Sequence, residues 1–324
     1  MKKLSIAYFG SPDFAASFLE KLIIDVSINR LIDIKFVITQ PDQLVGRKQI
    51  LTPTPVKIIA NKNKLMIFNE NTRFERLGIP PKGEGSHWSE KRGIELNNID
   101  LAIVYAYGDL IPKEFLTFPK YGFWNIHPSL LPKYRGPSPI AAPLINGDKT
   151  TGVTIIKMDD SIDHGPIIAQ ESLTIDKDDK RPDLEKKLTD LAYKMFKEIM
   201  GERTKFFATP TGDKKFRSKP FIAQNHKLAT YTKKLSKQDG FIEISKLKNQ
   251  ISKNSQEFFN LFRGLTPWPG LWTLLRQGFE GQASKRLKIT DLSLVDGKLI
   301  IKKVQMEGKN EVDFETFNKA YKIF

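Results

Sequence analysis

The chain has 324 residues, enough for two domains with a sizeable core, and its 40% hydrophobic and 27% charged residues are those of a soluble globular protein. No apolar run is long enough to cross a bilayer, so no membrane partner is expected, and the absence of cysteine excludes disulfides, thiolate nucleophiles and cysteine metal sites. A net charge of +15 favours a polyanionic partner, most simply a nucleic acid.

Residues 4–9 read as a buried first strand. Gly10-Ser11-Pro12-Asp13 soon interrupts it, so the start is a strand and turn rather than a secretory segment, and a cytoplasmic protein is expected. The spacing of Phe14, Phe18, Leu19, Leu22 and Ile23 predicts a helix over 14–24, and 34–39 reads as a second strand. This opening predicts an α/β domain with a mostly parallel, Rossmann-like sheet and right-handed crossovers. The first turn lacks the GxGxxG fingerprint, so nicotinamide dinucleotide binding gains no support. Residues 40–49 are polar, contain Pro41 and Gly46, and read as a loop before a helix over 55–61 that Pro55 starts. Residues 69–97, with Pro80-Pro81, Gly83 and Gly85, read as a surface excursion, and His87 and Trp88 within it receive no role. A buried strand over 100–106 then ends in Tyr107-Gly108-Asp109-Leu110.

The apolar run 121–124 is another buried strand, and its pattern breaks at Asn125-Ile126-His127. On a strand, Asn125 and His127 point to the same side, and the prolines and glycine of 128–136 force a rigid loop after them. A histidine changes charge near neutral pH, and an asparagine offers a neutral amide N–H. Together they can hydrogen-bond an oxygen that becomes negative during a reaction. A lone Asn-x-His fits a capping histidine and a turn former better; the downstream stretches Thr151-Gly152-Val153-Thr154-Ile155 and Asp163-His164-Gly165-Pro166-Ile167 reverse that balance.

Residues 139–145 can form a short helix, and strands over 151–158 and 166–173 flank the acidic loop Asp159-Asp160-Ser161-Ile162-Asp163. That loop lacks EF-hand spacing, and the four histidines include no HExxH pair, so no metal is expected. An amphipathic helix over 184–200 closes a first domain, 1–204. A linker, 205–228, follows; its Lys214, Lys215, Arg217 and Lys219 suit contact with a phosphate backbone. In 229–324, a helix over 258–263 lies among short β-like runs at 240–244, 270–275, 286–291 and 298–304, a pattern that fits a small barrel with one helix.

Taken together, Asn125, His127 and Asp163 with Phe9-Gly10-Ser11-Pro12-Asp13-Phe14, Thr39-Gln40-Pro41-Asp42, Leu51-Thr52-Pro53-Thr54-Pro55-Val56-Lys57, Ala106-Tyr107-Gly108, Ala229-Thr230-Tyr231 and Pro267-Trp268-Pro269-Gly270 resemble the folate-dependent formyltransferase superfamily. Within it the chain is most similar to the branch that formylates methionyl-tRNA. The resemblance implies an OB-like C-terminal domain that binds tRNA, and a reaction that moves the formyl group of 10-formyltetrahydrofolate to the α-amino group of initiator methionyl-tRNA, supporting translation initiation. It also implies catalytic Asn125, His127 and Asp163. Folate contacts are expected from Ser129, Leu130, Leu131 and Pro132 and from Tyr107, Gly108, Asp109 and Leu110. Arg47, with Lys48, is expected at the acceptor stem of the tRNA. The family's usual Arg-Pro stands here as Gln43-Leu44. A monomer is expected. The open alternative keeps the chemistry and changes the acceptor to the amine of a sugar nucleotide or purine precursor.

Overall fold

A computed structural model describes residues 2–46, 48–69, 98–202, 221–245, 247, 255–275 and 284–321. Arg47, Lys214, Lys215, Arg217, Lys219, His87 and Trp88 lie outside the described residues. The chain divides into two compact units: Met1–Arg135, Gly152–Ser172 and Lys187–Thr230 form one, and Gly136–Thr151, Leu173–Lys186 and Tyr231–Phe324 the other.

The first unit is built on a sheet of seven strands. In chain order these are β1 (Leu4–Gly10), β2 (Ile32–Thr39), β5 (Met66–Asn69), β6 (Leu101–Tyr105), β7 (Phe123–His127), β8 (Thr150–Lys157) and β9 (Ile167–Thr174). Between β2 and β5 lies a separate hairpin of β3 (Gln43–Val45) and β4 (Ile50–Thr52). The sheet order is β5-β2-β1-β6-β7-β8-β9. Pairing is parallel from β5 through β7 and antiparallel between β7 and β8. The chain therefore winds outward in one direction from β1 to β2 and in the other from β1 to β6, which makes the carboxyl ends of β1 and β6 the natural ligand crevice of an α/β sheet.

The helices follow from apolar spacing. In α1 (Asp13–Ile24), Phe18, Leu19 and Leu22 are fully buried. Phe18 stacks on Tyr8 at 6.2 Å between centroids, and meets Tyr105 and Phe196 edge-on. Burying each such side chain contributes about 1.5–3 kcal/mol. A single turn, α2 (Val26–Asn29), is capped by the Asp25 carboxylate. Lys197 above all, then Ser27 and Tyr193, hydrogen-bond that carboxylate and hold its pKa well below the usual range. Helix α3 (Pro55–Lys62) starts where Thr54 accepts a hydrogen bond from the Lys57 amide at 3.1 Å and Pro55 supplies a preset φ. In α5 (Arg181–Gly201), Leu188, Ala192, Met195, Phe196 and Ile199 repeat at helical spacing and are buried. On the opposite sheet face, Ala7, Phe9, Phe36, Ile38, Ala102, Val104 and Phe123 form a second apolar layer.

The second unit packs α4 (Ala141–Asn146) against α6 (Ser255–Leu265). The approach is close because Gly264 has no side chain: a Cβ there would stand 2.9 Å from the Ala141 carbonyl oxygen. Phe258, Phe259, Phe262 and Leu265 of α6 pack on an antiparallel sheet of β10 (Leu271–Leu275), β11 (Lys285–Val295), β12 (Lys298–Met306) and β13 (Glu311–Asp313), in that order. Phe317 of α7 (Phe314–Tyr321) completes this core. The α/β sheet and the antiparallel C-terminal domain agree with the sequence pattern. Three expectations change. Residues 240–244 alternate like a strand, but Lys237–Gly240 is a 3-10 turn and Phe241 makes only one bridge, to Trp272. Among the described residues, the C-terminal domain holds a helix beyond the expected one, α7. The polar loop at 40–49 contains half of the β3–β4 hairpin, turned through Gly46 at φ +74° and Gln49 at φ 49°. No described helix is long and apolar enough to cross a membrane.

Candidate active site

Asn125 and His127 stand on one face of β7, as their spacing requires. His127 is 4% exposed, whereas Asn125 is half-buried and is the more accessible of the pair. The loop 158–166 folds over this face and brings Asp163 to both. Asn125 Nδ2 donates to Asp163 Oδ1 at 2.9 Å, and His127 Nδ1 lies 3.4 Å from the same oxygen. His127 Nε2 meets the Tyr134 carbonyl at 2.9 Å. A carbonyl can only accept, so Nε2 carries the proton and Nδ1 is the nitrogen that faces the carboxylate. The three expected side chains are thus brought together around one oxygen atom.

The Asp163 loop is tight. Asp163 itself adopts φ 49°, and a Cβ on Gly165 would stand 1.8 Å from the Lys157 carbonyl oxygen, so only glycine fits there. Gln224, which sequence reasoning did not single out, spans the loop from behind. Its Nε2 donates to the carbonyls of Asp163 at 2.9 Å and Gly165 at 2.7 Å. Its Oε1 accepts from Arg135 Nη2 at 2.6 Å, and the same Nη2 contacts His226 Nδ1 at 2.8 Å. Since a guanidinium only donates, His226 accepts there as a neutral ring. His226 stacks on His164 at 3.9 Å, and His164 Nδ1 lies 2.7 Å from Asp159 Oδ2. Desolvation first, then the His164 and Arg135 charges, push the His226 pKa below the ordinary histidine value. Residues 221–230 form a strap sewn to the site: Ile222 exchanges two main-chain bonds with Ile167, Thr230 accepts from the Arg135 amide at 2.8 Å, and its hydroxyl accepts from the Tyr134 amide at 2.8 Å.

Of the expected folate contacts, Ser129 and Leu131 are buried, and Leu130 and Pro132 are half-buried. Their turn is fixed by Thr154, opposite His127 in the β7–β8 register. The Thr154 hydroxyl donates to the Ser129 carbonyl at 2.6 Å and accepts from the Leu131 amide at 3.1 Å and Gln170 Nε2 at 2.8 Å. The second wall follows β6, the parallel neighbour of β7. Tyr107 is buried there with its carbonyl taking the Ser11 hydroxyl at 2.8 Å, while Gly108, Asp109 and Leu110 are exposed. Beside Gly108, Gln40 Nε2 is a buried donor with no hydrogen-bond partner among the described residues. Lys48 is exposed at the tip of the β3–β4 hairpin, whose Leu44, Val45, Ile50 and Leu51 are also exposed.

The fold and this Asn-His-Asp cluster define a class. The family model described as formyl transferase matches residues 3–200. A solved sugar 3N-formyl transferase superposes with a TM-score of 0.55 at 19% identity, covering 96% of this chain and 100% of its own. A solved 4-N formyltransferase from Francisella tularensis gives 0.57 at 17%, with 85% and 94% covered. These likenesses establish the fold. The sequence relatives are more specific. The methionyl-tRNA formyltransferase of Caldicellulosiruptor saccharolyticus is 34% identical over 346 residues, covering 99% of this chain and 98% of the relative. That of Geotalea uraniireducens is 31% identical, with 100% and 97% covered, and that of Staphylococcus aureus strain JH1 33%, with 90% and 80% covered. The chain belongs to the methionyl-tRNA formyltransferases.

Proposed function

We propose that this enzyme transfers the formyl group of 10-formyltetrahydrofolate to the α-amino group of methionine on initiator tRNA. The observation that carries the chemistry is the convergence of Asn125, His127 and Asp163 on one oxygen, at the carboxyl end of a strand beside the sheet's switch point. The donor supplies a formyl carbon open to attack by an amine. Asn125, the more accessible of the pair, directs its amide toward the formyl oxygen as that oxygen gains charge. His127, held by Tyr134, keeps Nδ1 facing Asp163, where it donates to the carboxylate when the ring carries its second proton. Asp163 takes the proton that the attacking nitrogen must lose, directly or through a water, and the folate nitrogen regains a proton as its bond to the formyl carbon breaks. No covalent enzyme intermediate is needed, and much of the rate comes from holding two large substrates in register.

The residues present fit a folate. Ser129 to Pro132 and Tyr107 to Leu110 follow neighbouring strands, offer main-chain groups beside apolar surface, and leave the Gln40 amide as a buried donor seeking an acceptor. Asn125, His127 and Asp163 would face its formyl-bearing end. The basic residues Arg47, Lys48, Lys214, Lys215, Arg217 and Lys219 are proposed to contact the tRNA.

Formyl transfer to charged initiator and charged elongator tRNA, measured side by side, tests this function. Preference for the initiator is expected; equal rates, or transfer to small amines alone, would overturn it. A salt series of tRNA binding tests the basic residues. Neutralising the four linker cations should lower the salt slope by about 0.7–0.9 for each phosphate that they neutralise in the complex. Parallel slopes for wild type and variant would remove the linker from the tRNA surface.

A further inference from the structure

We propose that Gln224 is a positioning residue of the transfer reaction, holding the main chain on both sides of His164 and thereby fixing the Asp163 carboxylate against Asn125 and His127. The proposal rests on the proton-accepting role given above to Asp163. It also places a working part of the site beyond the residues that the formyl transferase family model matches, 3–200.

The geometry makes Gln224 a clamp rather than a filler. A carboxamide nitrogen has two hydrogens, and here both have a target, the carbonyls of Asp163 and Gly165. The amide cannot be turned over, because Oε1 faces the donor Arg135 Nη2 and a flip would set nitrogen against guanidinium. Both side chains are out of solvent, Gln224 at 6% exposure and Arg135 at 2%, so their hydrogen bonds do not compete with water. The clamped segment needs such a hold. Asp163 lies in the left-handed region, which disfavours a residue with a Cβ, and the loop carries neighbouring exposed residues, Ser161 and Ile162. Releasing the two carbonyls frees the Asp163–His164 and Gly165–Pro166 peptides and lets the carboxylate drift from its 2.9 Å hydrogen bond with Asn125. A misplacement of about 1 Å at a reacting group costs on the order of a hundredfold in rate.

A merely structural Gln224 would predict a lower melting temperature and unchanged turnover of the folded enzyme. The test is a double-mutant cycle on the full chain, with kcat, KM for each substrate and melting temperature read for Gln224→Met, Asp163→Ala and the pair. Methionine keeps the length and volume and removes the amide. The expected result is a kcat lowered about ten- to hundredfold in Gln224→Met, KM values changed less than about threefold, and at most about a twofold further loss when the change is made in Asp163→Ala. Turnover of Gln224→Met near wild type, or the same loss in both backgrounds, overturns the clamp alone. Near wild-type turnover in Asp163→Ala overturns the role of Asp163 and the clamp's purpose with it. Should Gln224→Met fail to fold, Gln224→Glu runs the same cycle: it retains the pairing with Arg135, turns two donors into an acceptor, and is expected to be at least as slow.

Discussion

Among the described residues two arginines are buried, Arg135 in the first unit and Arg263 in the second, at 2% and 4% exposure. Arg263 directs two of its donors to main chain: Nε reaches the Asp179 carbonyl at 2.6 Å and Nη2 the Asp176 carbonyl at 2.8 Å, while Nη1 reaches Asn260 Oδ1 at 3.3 Å. Burial lowers its pKa, and Asp179 and Asp178 partly offset that. Arg135 instead ends on side chains, Gln224 and His226, and through the first on the loop that carries Asp163. The same buried cation therefore does two jobs. Tied directly to carbonyls, it staples a turn. Tied to an amide whose orientation it locks, it sets the aim of the proposed proton acceptor.

The largest effects should come from the cluster that this relay serves. Asn125→Ala, His127→Ala and Asp163→Ala should each slow formyl transfer on the order of a hundredfold or more, with tRNA affinity little changed, as for interactions made in the transition state. Near wild-type turnover in all three would leave Arg135 with nothing to aim. Next comes the contrast itself. Arg135→Met should lower kcat about tenfold or more. Arg263→Met should cost about 2–4 kcal/mol of stability in denaturant titrations, by orphaning buried carbonyls, while turnover of the folded protein holds. Equal losses of turnover in both variants would collapse the distinction.

Thr154→Val sharpens it further, since a hydroxyl there fixes a turn without any charge. The variant leaves the Ser129 carbonyl and the Leu131 amide without their hydroxyl partner and should raise KM for the formyl donor several-fold, at a stability cost of about 1–3 kcal/mol. An unchanged donor KM would detach this turn from folate binding. The smallest effect concerns His226. Its pKa is lowered in the folded chain, so between that value and about 6.5 the unfolded chain binds more protons. Its contribution is therefore complete above pH about 6.5 and is lost as pH falls through that window. The melting temperature should decline slightly more steeply between pH about 7 and 5.5 in wild type than in His226→Asn. Identical slopes would show that the ring is not the group titrating.

Much of the site was legible because strands have a period of two. Asn125 and His127 had to share a face, and Asp163 stood before a glycine that the loop proves to need. The sheet was legible from apolar runs such as 4–9 and 100–106, each within a residue or two of β1 and β6. Gln224 was not, because its partners lie 61 and 89 positions away and long-range side-chain bonds leave no local period. The β3–β4 hairpin was hidden for a different reason. Its strands have three residues each and bury neither face, so they lack the alternation that marks a strand. Residues 240–244 erred in the opposite sense: Phe241, Ile242 and Ile244 supply apolar side chains, but only the Phe241 position finds a bridge, and a ladder needs a continuous partner.

The strap at 221–230 decides where this chain may be cut and rejoined. Four of its main-chain or hydroxyl links run to Ile167, Tyr134 and Arg135, all of them residues that frame the cluster. A chimaera with a relative, joined just after α5, would lay a foreign strap on a native cradle and present whatever side chain that relative carries where Gln224 stands. Joined after Thr230, the same exchange leaves every stitch with its own partner. Recombination among these enzymes should therefore tolerate the second junction far better than the first, although the first spares all three members of the cluster.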